Sequence, residues 1–186
     1  VSGGRDVEPV VLGALDRAWD RIRQRVTGLT QAEYLWEPVA GMWSVREGAD
    51  GVWRVERVGP EEPDPDPAPV TTVAWRLWHI GSECLAEYTA GGLGDWPLPA
   101  LQVRGSDWYE HVDDALAAVD TAWAAFREGL SGLGEDGLWR PLGPSWGTFG
   151  TQPWVALALH ALSELAHHGA EIALLRDLYV REAGPA

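Results

Sequence analysis

Five histidines stand in the chain, at positions 79, 111, 160, 167 and 168, and four of them fall in two segments dense in apolar residues. On a helix each residue turns by about 100°, so His160, Ser163, Glu164 and His167 share a sector of roughly 100°. His79 stands among Trp75, Leu77, Trp78 and Ile80, with Glu83 one turn further on. Imidazoles and carboxylates facing inward from separate helices are the usual means by which a bundle holds a metal or cofactor. A lone helical histidine among apolar residues is more often a hydrogen-bonded core residue, and His111 and His168 are expected at solvent or at a bundle seam. Cys84 falls on the apolar stripe of its segment and is expected to pack as a small hydrophobe.

The elements that must position these groups follow from apolar spacing. Val11, Leu15, Ala18, Ile22 and Val26 mark one amphipathic helix, and Thr30 can cap a short turn through Gln31, Ala32 and Glu33. Between Met42 and Val58 the β-formers broken by Gly48 and Gly51 predict a short hairpin or extended excursion. The prolines and acids of residues 59–69 exclude helix and inner strand, and predict a stiff surface loop. Thr71 or Thr72 caps a second helix that carries His79 and ends at Gly91-Gly92. Asp107 and Glu110 have capping-box spacing ahead of a third helix through Val112, Leu116, Val119, Trp123, Phe126 and Leu130. A fourth runs from near Pro153 to about Val180 and is apolar on all sides, so it should be central. The expected fold is all-α: a single domain over residues 1–186, a four-helix bundle with a short β insert between helices 1 and 2.

Composition narrows the function. A net charge of −14, 14 Arg with no Lys, and no basic stretch leave nothing to neutralise a phosphate backbone, which excludes nucleic acid as the target and argues against an anionic membrane. The lone Cys84 cannot form an internal disulfide, so the cytoplasm is the expected compartment. No phosphate-binding glycine loop, nucleophile elbow or Cys-rich zinc spacing competes with the histidines.

Three segments carry a family resemblance: Thr72-Val-Ala-Trp-Arg-Leu-Trp-His79, His160 to Tyr179, and Leu29 to Arg46. Together they resemble the DinB-like family of bacterial four-helix-bundle proteins, in an actinobacterial-type branch. That resemblance implies a divalent metal, nickel or zinc, held by three histidines: one from helix 2 and two, spaced i and i+4, from helix 4. It also implies kinship with thiol-dependent enzymes such as mycothiol-dependent maleylpyruvate isomerase and bacillithiol S-transferases. Carried over, the ligands match His79 and His167, while the remaining one falls on Ser163, a poor donor. Three outcomes stay open: a three-His site completed by His160, a weaker His79/His167 site completed by water or a carboxylate, and a metal-free pocket.

If metal binds, the expected chemistry is a low-molecular-weight thiol or a water made nucleophilic at neutral pH, as in a thiol-dependent S-transferase or a metal-dependent hydrolase. Glu164 and Ser163 are then the catalytic candidates, with Glu164 or His160 orienting the ligand or shuttling a proton. The small-molecule substrate is expected between Trp75, Trp78 and the loop before helix 4, with Arg76 as an anchor. If the metal is lost, the reading becomes a small-molecule-binding or stress-associated bundle protein. A homodimer through a bundle face fits either case.

Overall fold

The computed structural model describes residues 6–59, 62–63, 65–98 and 106–183. Helix α1 (Glu8–Val26) carries Pro9 in its first turn, where proline is tolerated, and buries Leu12, Leu15, Trp19 and Ile22. The predicted turn is α2 (Gln31–Tyr34), where Thr30 and Glu33 form a reciprocal capping box. Strands β1 (Val45–Glu47) and β2 (Trp53–Val55) pair antiparallel with Val45 opposite Val55, which bears out the short hairpin.

Helix α3 (Val73–Trp78) is capped by the Thr72 hydroxyl, which accepts from the Trp75 amide. It continues without a break into a π-helical stretch (His79–Ala86) and, past Glu87 and Tyr88, a second one (Thr89–Leu93). This departs from the uniform α-helix read from apolar spacing, and the change begins at His79. The long helix α4 (Val112–Gly132) has the predicted core stripe of Val112, Val119, Phe126 and Leu130. Its start differs from expectation. Asp107 is held by Arg54, and Gln31 caps the helix from across the chain, its Oε1 accepting from the Val112 amide at 2.9 Å. A short α5 (Gly134–Leu138) and a 3₁₀ turn (Pro144–Phe149) lead to α6 (Trp154–Ala183).

The long helix α1 packs on α6 and α4, and α3 with its π continuation packs on α4 and α6. The connections α1 to α3 and α4 to α6 therefore cross the bundle, and the hairpin lies on the first of them. One hydrophobic core joins all these elements. The helix α6 is less enclosed than its composition suggests, because Leu159 and Leu178, expected in the core, are exposed. The hairpin is fastened to the start of α3 by three contacts. The Thr72 amide donates to the Trp43 carbonyl, the Thr72 hydroxyl to Ser44 Oγ at 3.0 Å, and Trp75 Nε1 to the Glu56 carbonyl. That fastening sets Arg57 and Trp75 beside His79.

Candidate metal centre

Three donors converge where the π stretch meets the middle of α6: His79, Glu164 and His168, their ligand atoms all within 4.8 Å of one another. Glu164 Oε2 lies 3.2 Å from His79 Nε2 and 3.0 Å from His168 Nε2. The inward stripe of α6 is thus His160, Glu164, His168, successive steps of four residues, each about 40° apart on the helix. The i, i+4 pair that the structure turns toward His79 is Glu164 and His168, one residue later than Ser163 and His167.

That single step is the main correction to the sequence reading, because one residue is 100° of rotation. His168, expected at solvent or a seam, is 6% exposed, whereas the side chain of His167, expected to be a ligand, is 64% exposed and faces Glu171 at 3.3 Å. Ser163 is exposed and has no place in the cluster. His160 stands at the edge, half exposed, with Nδ1 3.9 Å from the other Glu164 oxygen. No signal in one sequence separates His167 from His168. Only the depth of Leu165 and Ile172 on the same helix does, and that needs the fold.

Behind each imidazole stands a carboxylate, and behind each carboxylate an arginine. His79 Nδ1 donates to Glu83 at 2.9 Å, and Glu83 is paired with Arg57 at 3.2 Å. His168 Nδ1 lies 2.7 Å from a Glu171 oxygen and 3.1 Å from Arg76 Nη1, and Glu171 is paired with Arg76 at 2.7 Å. This is the outer shell that fixes tautomer and ring orientation in metal-ligating histidines. Arg76 is therefore occupied in positioning His168, and the substrate-anchoring role expected of it does not follow from its place. Trp75 stacks on the His79 ring at 5.3 Å, and the buried Trp78 carries Arg57 over its face. Both tryptophans form the wall behind His79, beside a cavity of about 430 Å³ bounded by Arg57, Arg76 and the described part of the proline loop.

The π stretch has a direct consequence. Its i to i+5 hydrogen bonding brings Cys84 under His79, with Sγ 3.6 Å from Nε2; in an α-helix a residue five on would lie about 140° away. Cys84 is buried, as expected of a packed hydrophobe, but its sulfur abuts the centre.

The electrostatics treat the two imidazoles differently. Burial works to lower the pKa of His79, but hydrogen bonds to Cys84, Glu83 and Glu164 outweigh it and push it up to about 10. Glu164 lies below its ordinary value, because the neighbouring imidazoles outweigh its burial. His168 is held below its ordinary value, first by burial and then by the positive charges of His79 and Arg76. As a neutral ring protonated at Nδ1, His168 donates to Glu171 and turns an Nε2 lone pair toward Glu164; protonated at Nε2, it donates to Glu164 and accepts from Arg76 at Nδ1. In the Nδ1-protonated tautomer, a cation shared by Nε2 and the carboxylate oxygen satisfies both. Donors about 2.1 Å from an ion at right angles lie about 3 Å apart, so the observed spacings fit a shared ion. Two imidazoles and a carboxylate with positions left open form a donor set used by catalytic zinc and other first-row metals.

Among the described residues no helix is long and apolar enough to cross a membrane. Neither the curated proteins nor the solved structures contain a match to the chain. A family model described as the DinB superfamily matches residues 14–172, which takes in most of α1, the hairpin, the π stretch and every residue of the centre. The chain belongs to the DinB superfamily.

Proposed function

We propose that the chain is a metal-dependent enzyme in which His79, Glu164 and His168 hold one divalent ion, nickel or zinc, and that it acts on a small molecule with a low-molecular-weight thiol such as mycothiol, or water, as nucleophile. The observation that carries this is the convergence of His79, Glu164 and His168 within 4.8 Å of one another, each imidazole backed by a second carboxylate. Such an ion, when bound, lowers the pKa of a thiol or water enough to supply a nucleophile at neutral pH.

The chain's own residues do the rest. Glu83 and Glu171, accepting from the imidazole Nδ1 atoms, direct both Nε2 atoms at the ion once His79 has given up its Nε2 proton. Arg57 and Arg76 keep those carboxylates in place, and the Trp75 face fixes the plane of the His79 ring. His160, on the solvent side of Glu164, is placed to take the nucleophile's proton. The only cysteine is buried beside His79, so the thiol has to be supplied by a second small molecule.

Metal analysis of protein purified without an affinity tag tests the reading. The wild type should carry about one equivalent of metal, lost in His79→Ala, His168→Ala and Glu164→Gln and retained in His167→Ala and Ser163→Ala. Glu171→Gln should weaken affinity by about 10- to 100-fold, the range found for outer-shell partners. A wild type that takes up no metal under metal-replete conditions sinks the proposal and favours a metal-free small-molecule-binding or stress-associated protein.

A further inference from the structure

A second cavity, of about 350 Å³, lies between the π stretches, the 3₁₀ turn and the first turns of α6, walled by Tyr88, Leu142, Trp146, Phe149, Leu157 and His160. The sequence reading placed one substrate between Trp75, Trp78 and the loop before helix 4, whereas the structure assigns the tryptophans and that loop to separate cavities. Trp146 pins the loop: its Nε1 donates to the Gly91 carbonyl at 3.0 Å, and its ring meets Trp154 edge-on. A Cβ at position 91 would fall 2.3 Å from the Trp146 ring, so the close approach requires glycine. The 3₁₀ turn thus forms a fastened wall. No carboxylate or guanidinium is among the described lining residues, and the polar groups are Tyr88, Gln152 and His160.

Two of those groups join the cavity to the metal centre. His160 Nδ1 lies 3.9 Å from Glu164 Oε1, the oxygen turned away from His79 and His168, and its ring is 6.0 Å from that of Tyr88. Burial holds the Tyr88 phenol well above its usual range, with Cys84 and Glu164 adding to the effect, so it remains a neutral hydroxyl. The volume lies at the lower end of small-molecule sites, about 300–1,000 Å³, which suits a compound of one or two rings.

We propose that this cavity receives the apolar reactant, an uncharged small molecule with a flat hydrophobic body whose polar group meets His160 at the edge of the centre. Its description as a reactant rests on the metal-enzyme reading; the binding site does not. Aromatic walls favour flat apolar bodies, and the absence of a cationic side chain from the lining, in a chain of net charge −14, disfavours anions.

The probe is 1-naphthol, titrated into metal-free protein and followed by equilibrium dialysis and tryptophan fluorescence. It should saturate at one equivalent. Naphthalene-2-sulfonate, with the same body and a full charge, should bind about 10-fold more weakly. Ala156→Phe, which fills the cavity from a half-buried helix position, and Phe149→Ala, at an exposed one, should each weaken 1-naphthol by about 10-fold, while His79→Ala should leave it within about 2-fold. Circular dichroism checks the fold of each variant. In cobalt-loaded protein 1-naphthol should shift the visible bands, because its polar group reaches His160 beside Glu164. Absence of saturable binding, or binding indifferent to both cavity variants, overturns the site. Saturable binding that leaves the cobalt bands unmoved overturns its link to the centre. Protein that binds 1-naphthol but takes up no metal contradicts the metal-enzyme reading and leaves the cavity standing.

Discussion

His168 has a carboxylate oxygen against each of its ring nitrogens, at 2.7 Å and 3.0 Å, and as a neutral ring it has one proton to offer them. His79 has the same arrangement at 2.9 Å and 3.2 Å and meets it by staying protonated, its pKa pushed up to about 10. The two histidines therefore differ although their surroundings are nearly symmetric, because burial first, and then the positive charges of His79 and Arg76, disfavour protonation of His168. The sign of the pH dependence follows. A pKa raised from about 6.5 means that the His79 imidazolium stabilises the metal-free fold fully below that value, and this contribution is lost as pH rises through about 10. Metal must displace this proton, so at pH 7 to 8 uptake should release about one proton and affinity should rise with pH, up to about 10-fold per unit, until about 10. Calorimetry in buffers of different ionisation enthalpy measures the release; none at pH 7.5 would show that His79 is not displaced.

At the scale of elements, two features turn the donors inward. The π stretch begins at His79 and sets Glu83 and Cys84 on the same side of the helix. Gly169, directly after His168, lets α6 lie close on α1: a Cβ there would sit 2.7 Å from Ile22 Cγ1. Gly169→Ala should destabilise the protein by about 1–3 kcal/mol through overpacking, and Ile22→Ala should recover part of that loss in the double variant. Urea unfolding of the four proteins measures it, and strict additivity would contradict the close contact. Helix positions, the Thr30 and Thr72 caps and the hairpin were legible in the sequence, since apolar period and cap chemistry are local. The α4 cap was not, because Gln31 reaches it from 81 residues away. The π stretch was equally hidden, since apolar spacing over eight residues does not separate i+4 from i+5 bonding. His79 and Glu164 could be picked out as polar groups amid apolar ones, but adjacent histidines at 167 and 168 cannot be ranked without knowing which face α1 covers.

Over the whole molecule, the crossing connections set α6 between α1 on one flank and α3 with its π continuation on the other, and the centre lies in the second seam. The hairpin between α1 and α3 steadies that seam by bringing Glu56 to Trp75 and Arg57 to Glu83. Around the centre three carboxylates face two arginines and two imidazoles, so a divalent ion that displaces the His79 proton changes the local charge by only one unit. A second grouping, His167, His168 and Glu171, is the competing location on the outer face of the same helix. Anomalous diffraction at the zinc or nickel edge from crystals of the metal-loaded protein separates the two. A peak about 2.1 Å from His79 Nε2, Glu164 Oε2 and His168 Nε2 is the predicted result. A peak beside His167 and Glu171, or none at full metal loading, would contradict the account.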